Sequence, residues 1–158
     1  MPKYPFIPKS TSYLEPGHYW SIPLSNDEFA CGVVLQLILR NGKKDSRLFI
    51  SGLLNWSGPN LPIENELKNC EVIAHGQAHI KSISKNNGEV LGKLDWESSK
   101  LEVPLSLSES PGRNCRLQRG YELLGIATPQ QQKELNVFTT WGFKAIVVRA
   151  EKYFVKSA

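Results

Sequence analysis

The sequence predicts a mainly β (α+β) protein, built as a curled antiparallel sheet or as a small SH3-like barrel with one or two short helices. Apolar residues alternate along several segments, as they do in strands that bury one face or both. An Asn41-Gly42 pair lies between two such segments and is a strong signal for a tight hairpin. By contrast, only the segment that begins at Thr128-Pro129 has a clear helix start.

The length and composition predict one main domain. The chain has 158 residues, of which 41% are hydrophobic and 22% are charged, as is usual for a globular domain. Prolines at positions 2, 5, 8 and 16 predict an extended N-terminal arm over residues 1–18, because proline fixes φ and donates no backbone hydrogen bond. Residues 19–158 are then expected to form a single β-rich domain.

The first strands are expected directly after this arm. Residues 19–24 alternate apolar side chains onto one face, and Pro23 confines the strand to an edge or to a position where its missing donor faces outward. Residues 29–39 are apolar on both faces, which predicts a strand in the middle of a sheet. The chain then turns at residues 41–42 and returns along residues 47–54.

The later elements follow from shorter patterns. The segment 72–80 has one small apolar face and one largely polar face, which predicts a half-exposed strand. The other predicted elements are a loop over 57–62, a short helical turn over 63–68, a strand over 90–96, a long loop over 97–120 with an extended piece near 101–107, a strand over 121–127, a helix from 129 and a strand over 143–155. The last segment also fits a helix face, but its β-branched residues favour a strand.

The charge is mildly basic. Nineteen basic and fifteen acidic residues leave a net charge of +4, with a sequence pI near 9.0. Three arginines, Arg113, Arg116 and Arg119, lie close together in the predicted loop. This balance permits a nucleic-acid partner without demanding one, since nucleic-acid-binding domains usually concentrate more positive charge on one face.

No catalytic, cofactor or metal site is predicted. Cys31, Cys70 and Cys115 are an odd number without a Cys-x-x-Cys pair, so we expect reduced cysteines rather than disulfides or zinc. On a strand, His75 and His79 would lie about 13 Å apart, too far for one ion, and are expected to face solvent. There is no nucleophile elbow and no phosphate-binding glycine motif. We therefore expect neither an enzyme nor a bound cofactor.

The sequence also predicts a location. No segment approaches the roughly 18 consecutive apolar residues of a membrane helix. The N-terminus contains prolines and no apolar stretch of a secretion signal. We expect a cytoplasmic protein without a membrane partner.

Aromatic and arginine residues supply the candidates for partner binding. Trp56 and Trp141 lie beside glycine-containing loops and are candidates for exposed anchors, with partial burial under the loops as the alternative. Arg113, Arg116 and Arg119 are candidates for contacts with acidic groups or RNA, and a solvated loop is the alternative.

Residues 13–35 carry a specific pattern: a Gly-x-aromatic start, an Ile-Pro-Leu strand, a polar turn and an aromatic-small-x-Gly step before a Val-Leu strand. This pattern resembles the opening of the immunity protein 26 family of bacterial polymorphic toxin and contact-dependent inhibition systems. The matching residues are Gly17, Ile22, Pro23, Leu24, Phe29, Gly32, Val34 and Leu35. His18 stands where that family has an Asp. Residues 88–94 and 103–105 resemble later segments, so the resemblance covers about residues 13–107.

The resemblance implies a protein that binds and neutralises a cognate toxin C-terminal domain encoded by an adjacent gene. The matching residues Gly17, Ile22, Pro23, Leu24 and Gly32 are expected to be structural rather than to contact the toxin. The alternative function is that of a small-barrel RNA-binding protein, with the arginines on phosphates and exposed tryptophans stacked on bases. Under the immunity reading we expect no nucleic-acid partner.

Overall fold

A computed structural model describes residues 3–155; residues 1–2 of the predicted arm and 156–158 of the predicted domain lie outside it. The described chain forms two antiparallel sheets. The strands are β1 (His18–Pro23), β2 (Phe29–Arg40), β3 (Lys43–Gly58), β4 (Val72–His79), β5 (Val90–Lys93), β6 (Leu105–Leu107), β7 (Arg116–Arg119) and β8 (Glu122–Ile126). The helices are α1 (Glu64–Leu67), α2 (Lys81–Ser84), α3 (Pro129–Glu134) and α4 (Ala145–Phe154).

The larger sheet is open. Its five strands have the order β4-β3-β2-β1-β5, and a second sheet of three strands has the order β6-β7-β8. Strands β4 and β5 are opposite edges and do not pair with each other. The predicted mainly β class and curled sheet are therefore confirmed, whereas the SH3-like barrel that we offered as the other possibility is wrong.

Strand β2 separates two apolar clusters, as its two apolar faces predict. On one face, Ala30 and Val34 belong to a first core cluster that also contains Trp20, Phe49 and Ile146. On the other face lies a second core cluster, whose members include Cys31, Val33, Leu35, Tyr19, Ile50 and Leu94. Both faces of β2 are therefore covered by apolar residues. In the strand order, β2 lies between β1 and β3, so it is an interior strand of the sheet.

The β2–β3 hairpin also follows its sequence signal. Asn41 and Gly42 both have positive φ, at 53° and 77°, and Arg40 pairs with Lys43 across the turn. Two consecutive positive φ values make the tight turn whose twist matches that of the strands. Strand β3 is longer than predicted at both ends. In particular, Ser57 and Gly58, expected in a loop, pair with β2.

Strand β1 is interior, and Pro23 does not interrupt it. The register with β5 covers His18, Tyr19 and Trp20, so Pro23 lies past the end of that pairing. Before β1, Phe6 exchanges two backbone hydrogen bonds with Val90 of β5 (3.1 and 2.8 Å). Farther along, Thr11 donates its N–H to the carbonyl of Ser46 in β3 (2.9 Å), so the segment before β1 contacts both β5 and β3.

The prediction of a strand over residues 143–155 is wrong. Helix α4 occupies most of this segment and buries Ile146 and Ala150, one helical turn apart, against the first core cluster. Packing of this face outweighs the weak strand preference of the β-branched residues. The predicted helix from residue 129 is confirmed, because Thr128 caps α3 with a complete capping box and Pro129 is its first residue.

Residues 136–141 connect the two sheets. The N–H of Phe138 donates to the carbonyl of Leu107 in β6 (2.9 Å). A few residues later, the N–H of Gln77 in β4 donates to the carbonyl of Thr139 (3.0 Å). This segment, called the linking segment below, therefore pairs first with the small sheet and then with the large one.

Candidate protein-interaction site

An arginine and two exposed apolar residues share one face of the small sheet. Arg116 lies directly across from Ile126, and Gln118 lies across from Leu123. The register shifts between these two pairs, because two steps along β7 match three steps along β8, so Leu123 and Ile126 share a face although they are three residues apart. The side chains of Leu123 and Ile126 are 49% and 61% exposed. Arg116 is held in place because its Nε donates to the carbonyl of Leu124 (2.7 Å). We call Arg116, Gln118, Leu123 and Ile126 the β8 surface.

The structure does not bring the three predicted arginines together. Arg116 and Arg119 lie in β7 rather than in a loop, and residues three apart on a strand point to opposite faces. Arg119 therefore lies across from Leu105 and Glu122, away from the β8 surface. Arg113 is exposed in the turn before β7. The loop prediction failed because β6 and β8 pair with this segment on both sides.

The two candidate tryptophans differ in exposure. Trp56 lies on β3, half-buried against the second core cluster. Trp141 is only 4% exposed, so the expectation of an exposed anchor is wrong for this residue. Its indole lies against Gly76 of β4, where a Cβ would come within 2.5 Å of Trp141 Nε1. The absence of a side chain at Gly76 is what allows this burial.

Trp141 nevertheless lines a groove of about 820 Å³. One wall is the first part of β4, from Val72 to His75, and the opposite wall is α4. Its other lining residues are Pro104, Leu105, Glu134, Leu135, Asn136, Val137, Thr139, Val148, Arg149, Lys152 and Tyr153. The Arg149 guanidinium lies over the Trp141 ring, 4.7 Å from its centre, which gives the groove a fixed positive group. We call this feature the β4–α4 groove.

A second concave region is basic. This cavity, of about 600 Å³, is lined by the cationic side chains of Lys9, Arg47, Lys81 and Lys85 together with His79. No carboxylate is among the described residues that line it. Burial lowers the pKa of His79, and the nearby Lys81 and Arg47 lower it further against the opposing effect of Asp45.

The histidines differ from the solvent-facing pair that we expected. His75 is half-buried beside Phe138, its Nε2 atom is buried without a hydrogen-bond partner, and burial lowers its pKa. His79 packs on the Phe143 ring, 5.4 Å between centres. Within residues 3–155, no group of three or more His, Cys, Asp or Glu side chains is arranged to hold a metal ion.

His18 shows what the departure from the family's Asp does. Its Nδ1 accepts the N–H of Glu15 (2.8 Å), and its Nε2 lies 2.9 Å from the Tyr4 hydroxyl. A carboxylate oxygen can also accept a backbone N–H, so the imidazole retains an acceptor at this position. Burial lowers the pKa of His18, which keeps Nδ1 free to accept.

Several residues of these surfaces were missed by sequence reasoning. The exposure of Leu123 and Ile126 has no local signal, because it depends on no other element packing on that face of the small sheet. The α4 residues of the groove were missed because their segment was expected to be a strand. The helical spacing of Ile146 and Ala150 was the signal that could have found them.

The described chain consists of open sheets and exposes apolar and arginine side chains next to each other. These are the features of a protein-binding domain. The family of which it is a member follows from comparison with known sequences. The model of the family described as Immunity protein 26 matches residues 15–112, and the chain belongs to that family. Membership indicates a toxin-neutralising role with a toxin protein as partner, in a family that is generally non-enzymatic.

Two other comparisons add nothing to this assignment. No curated protein and no solved structure gives a significant match. In the part of the chain that the structure describes, no helix is long and apolar enough to cross a membrane.

Proposed function

We propose that this protein binds the C-terminal toxin domain encoded by an adjacent gene and neutralises it in the cytoplasm, by association rather than by chemistry. The family match over residues 15–112 carries this proposal. The β8 surface supports it and is the first contact region that we assign.

The composition of the β8 surface suits a protein interface. Arginine and large apolar side chains contribute much of the binding energy at interfaces, when they are surrounded by groups that exclude water. Arg116 is already held by the Leu124 carbonyl, so little side-chain freedom is lost when it binds. Leu123 and Ile126 lie beside Arg116, and burial of their exposed apolar surface would favour association.

The edge position of β8 adds backbone groups to this surface. Among residues 3–155, strand β8 pairs with β7 alone, so in this part of the chain one side of its backbone is open to a partner. Gly125 in this strand has open space where a Cβ would lie, so a partner's backbone can approach closely. Trp56, Arg113 and Arg119 remain further candidates for toxin contact, on other parts of the surface.

The net charge predicts which toxin surface is covered. A protein of charge +4 is attracted to an acidic surface, because complementary potentials speed association and disfavour wrong partners. If the toxin is a nuclease, its nucleic-acid-binding cleft is expected to be basic. We therefore expect the immunity protein to contact an acidic region of the toxin.

Co-expression tests this function. The toxin domain of the neighbouring gene should kill cells when expressed alone and be harmless when this protein is present. The Arg116→Glu variant should lose protection, whereas the same charge change at exposed Lys100 should keep it. If wild-type protein gives no protection and does not co-purify with the toxin domain, the proposal is wrong. Tight, salt-dependent binding of single-stranded RNA in that case would favour the RNA-binding alternative.

A further inference from the structure

Strand β4 is only partly covered along its outer edge. On the side away from β3, Gln77 donates its N–H to Thr139 (3.0 Å) and accepts the N–H of Trp141 (2.7 Å). Hydrogen-bonding direction repeats every second residue in an antiparallel strand, so the N–H and C=O of His75 point to the same outer side. Among residues 3–155 the structure gives neither group a partner. The edge is open at His75.

The linking segment explains this opening. The bridge between Gln77 and Thr140 is parallel, so continued pairing would bring residue 138 beside His75. Instead, the backbone N–H of Phe138 donates to Leu107 of β6, and the Phe138 ring contacts His75 without any backbone pairing between the two residues. The linking segment thus leaves β4 for the small sheet, and the β4–α4 groove occupies the gap.

The groove offers space and apolar surface beside β4 for an extended chain. An added strand lies about 4.8 Å from its neighbour, so it would occupy the space directly beside β4. Val148 and Tyr153 of α4 are each 58% exposed and offer apolar contact to its side chains. His75 itself lines the groove, so its outward-facing backbone groups are next to this space.

The charge of the groove selects the occupant. Arg149 and Lys152 come from adjacent turns of α4, against one carboxylate, Glu134, in the described lining. Arg149 lies over Trp141, and among residues 3–155 it has no salt bridge with an acidic side chain. A bound segment with Asp or Glu side chains would complete this pairing.

We propose that the β4–α4 groove receives an extended acidic segment of the toxin domain, which adds as a strand to β4 at His75 while its carboxylates face Arg149 and Lys152. This inference rests on the proposed function for the identity of the partner. It adds a second contact region, built differently from the β8 surface, in which backbone hydrogen bonds supply binding and α4 supplies selectivity.

Binding of the purified toxin domain of the neighbouring gene tests this arrangement. The Val148→Asp and Lys152→Glu variants should each weaken binding at least tenfold, and Lys152→Arg should restore it. Lys85→Glu makes the same charge change at the basic cavity and serves as the matched control. Amide hydrogen exchange supplies an independent measurement, in which the His75 N–H should exchange rapidly in the free protein and become protected in the complex.

Each result has a distinct meaning. If the toxin domain binds wild-type protein but the groove variants bind equally well and the His75 amide stays unprotected, the groove proposal is wrong while the proposed function stands. If wild-type protein does not bind the toxin domain, the proposed function itself is wrong, and the groove proposal falls with it. If the groove variants instead abolish a homodimer, the occupant is a second copy of this chain and the proposal is also wrong.

Discussion

The indole of Trp20 lies directly against the backbone of Gly32, its partner across the β1–β2 pair. A Cβ at position 32 would overlap three atoms of the Trp20 ring. Trp20 is fully buried in the first core cluster and meets Phe49 edge to face. Gly32, one of the residues that match the family pattern, is therefore the position at which the Trp20 side chain passes over strand β2.

Replacement of this glycine should destabilise the fold. We expect Gly32→Ala to lower the free energy of unfolding by about 1–3 kcal/mol, because the added methyl group overpacks a buried contact that cannot relax outward. Gly142→Ala, where nothing lies within 4 Å of the new Cβ, is the matched control. Urea unfolding of both variants measures the difference, and equal stabilities would contradict the packing described above.

Alanine substitution of two leucines in β2 should have very different effects on the free energy of unfolding, because one leucine is buried and the other is exposed. Leu35 is 2% exposed in the second core cluster, whereas Leu39 is 68% exposed near the hairpin. We expect Leu35→Ala to cost about 2–5 kcal/mol of unfolding free energy. Leu39→Ala should stay within about 0.5 kcal/mol of wild type. A small effect at Leu35 would show that β2 is not an interior strand.

Stability should fall between pH 7 and about pH 5, the range in which histidine ordinarily titrates. Burial lowers the pKa of His18 from its ordinary value of 6.5, and the pKa values of His75 and His79 shift in the same direction. Below pH 6.5 the unfolded chain therefore binds more protons than the folded chain, so acidification favours unfolding.

Unfolding free energies at pH 7, 6 and 5 test this effect. His18→Gln cannot titrate in this range, so its stability should depend less steeply on pH than that of wild type. Carboxylates with lowered pKa values, such as Asp45, contribute only at lower pH. A wild-type stability that is constant or rises from pH 7 to pH 5 would contradict this account.

Alanine substitution should locate the strongest contact on the β8 surface. We expect Arg116→Ala and Ile126→Ala each to raise the Kd for the toxin domain at least tenfold, which corresponds to about 1.4 kcal/mol. Leu39→Ala, which removes an equally exposed apolar side chain elsewhere, should leave the Kd unchanged. Titration calorimetry measures these values, and unchanged binding by both β8 variants would exclude this surface from the interface.

Local signals in the sequence predicted the elements that depend on few residues. The Asn41-Gly42 turn needs only two residues that tolerate positive φ. Helix α3 begins where Thr128 and Gln131 satisfy each other's backbone N–H groups. These features are decided within four residues, so their patterns were sufficient.

The elements that were mispredicted depend on distant partners. The propensities in residues 143–155 are weak, and burial of Ile146 and Ala150 against the first core cluster decides for helix α4. For the same reason, neither proposed contact region could be predicted from local sequence. The exposure of Ile126 requires that no other element pack on that face of the small sheet, and the groove joins His75 to Arg149, which are far apart in the chain.

The contact between α4 and the start of the sheet also bears on when the chain can complete its fold. The Glu151 carboxylate accepts both the N–H and the hydroxyl of Ser25, each at 2.8 Å, and Ala150 beside it closes the core that Leu14 begins. A chain translated only as far as β5 thus has an apolar sheet face with nothing to cover it. Such contacts between distant residues form late and slow folding. The large sheet should therefore complete its core only after α4 has emerged from the ribosome, and under the proposed function a chain that stops before that helix would yield no active inhibitor.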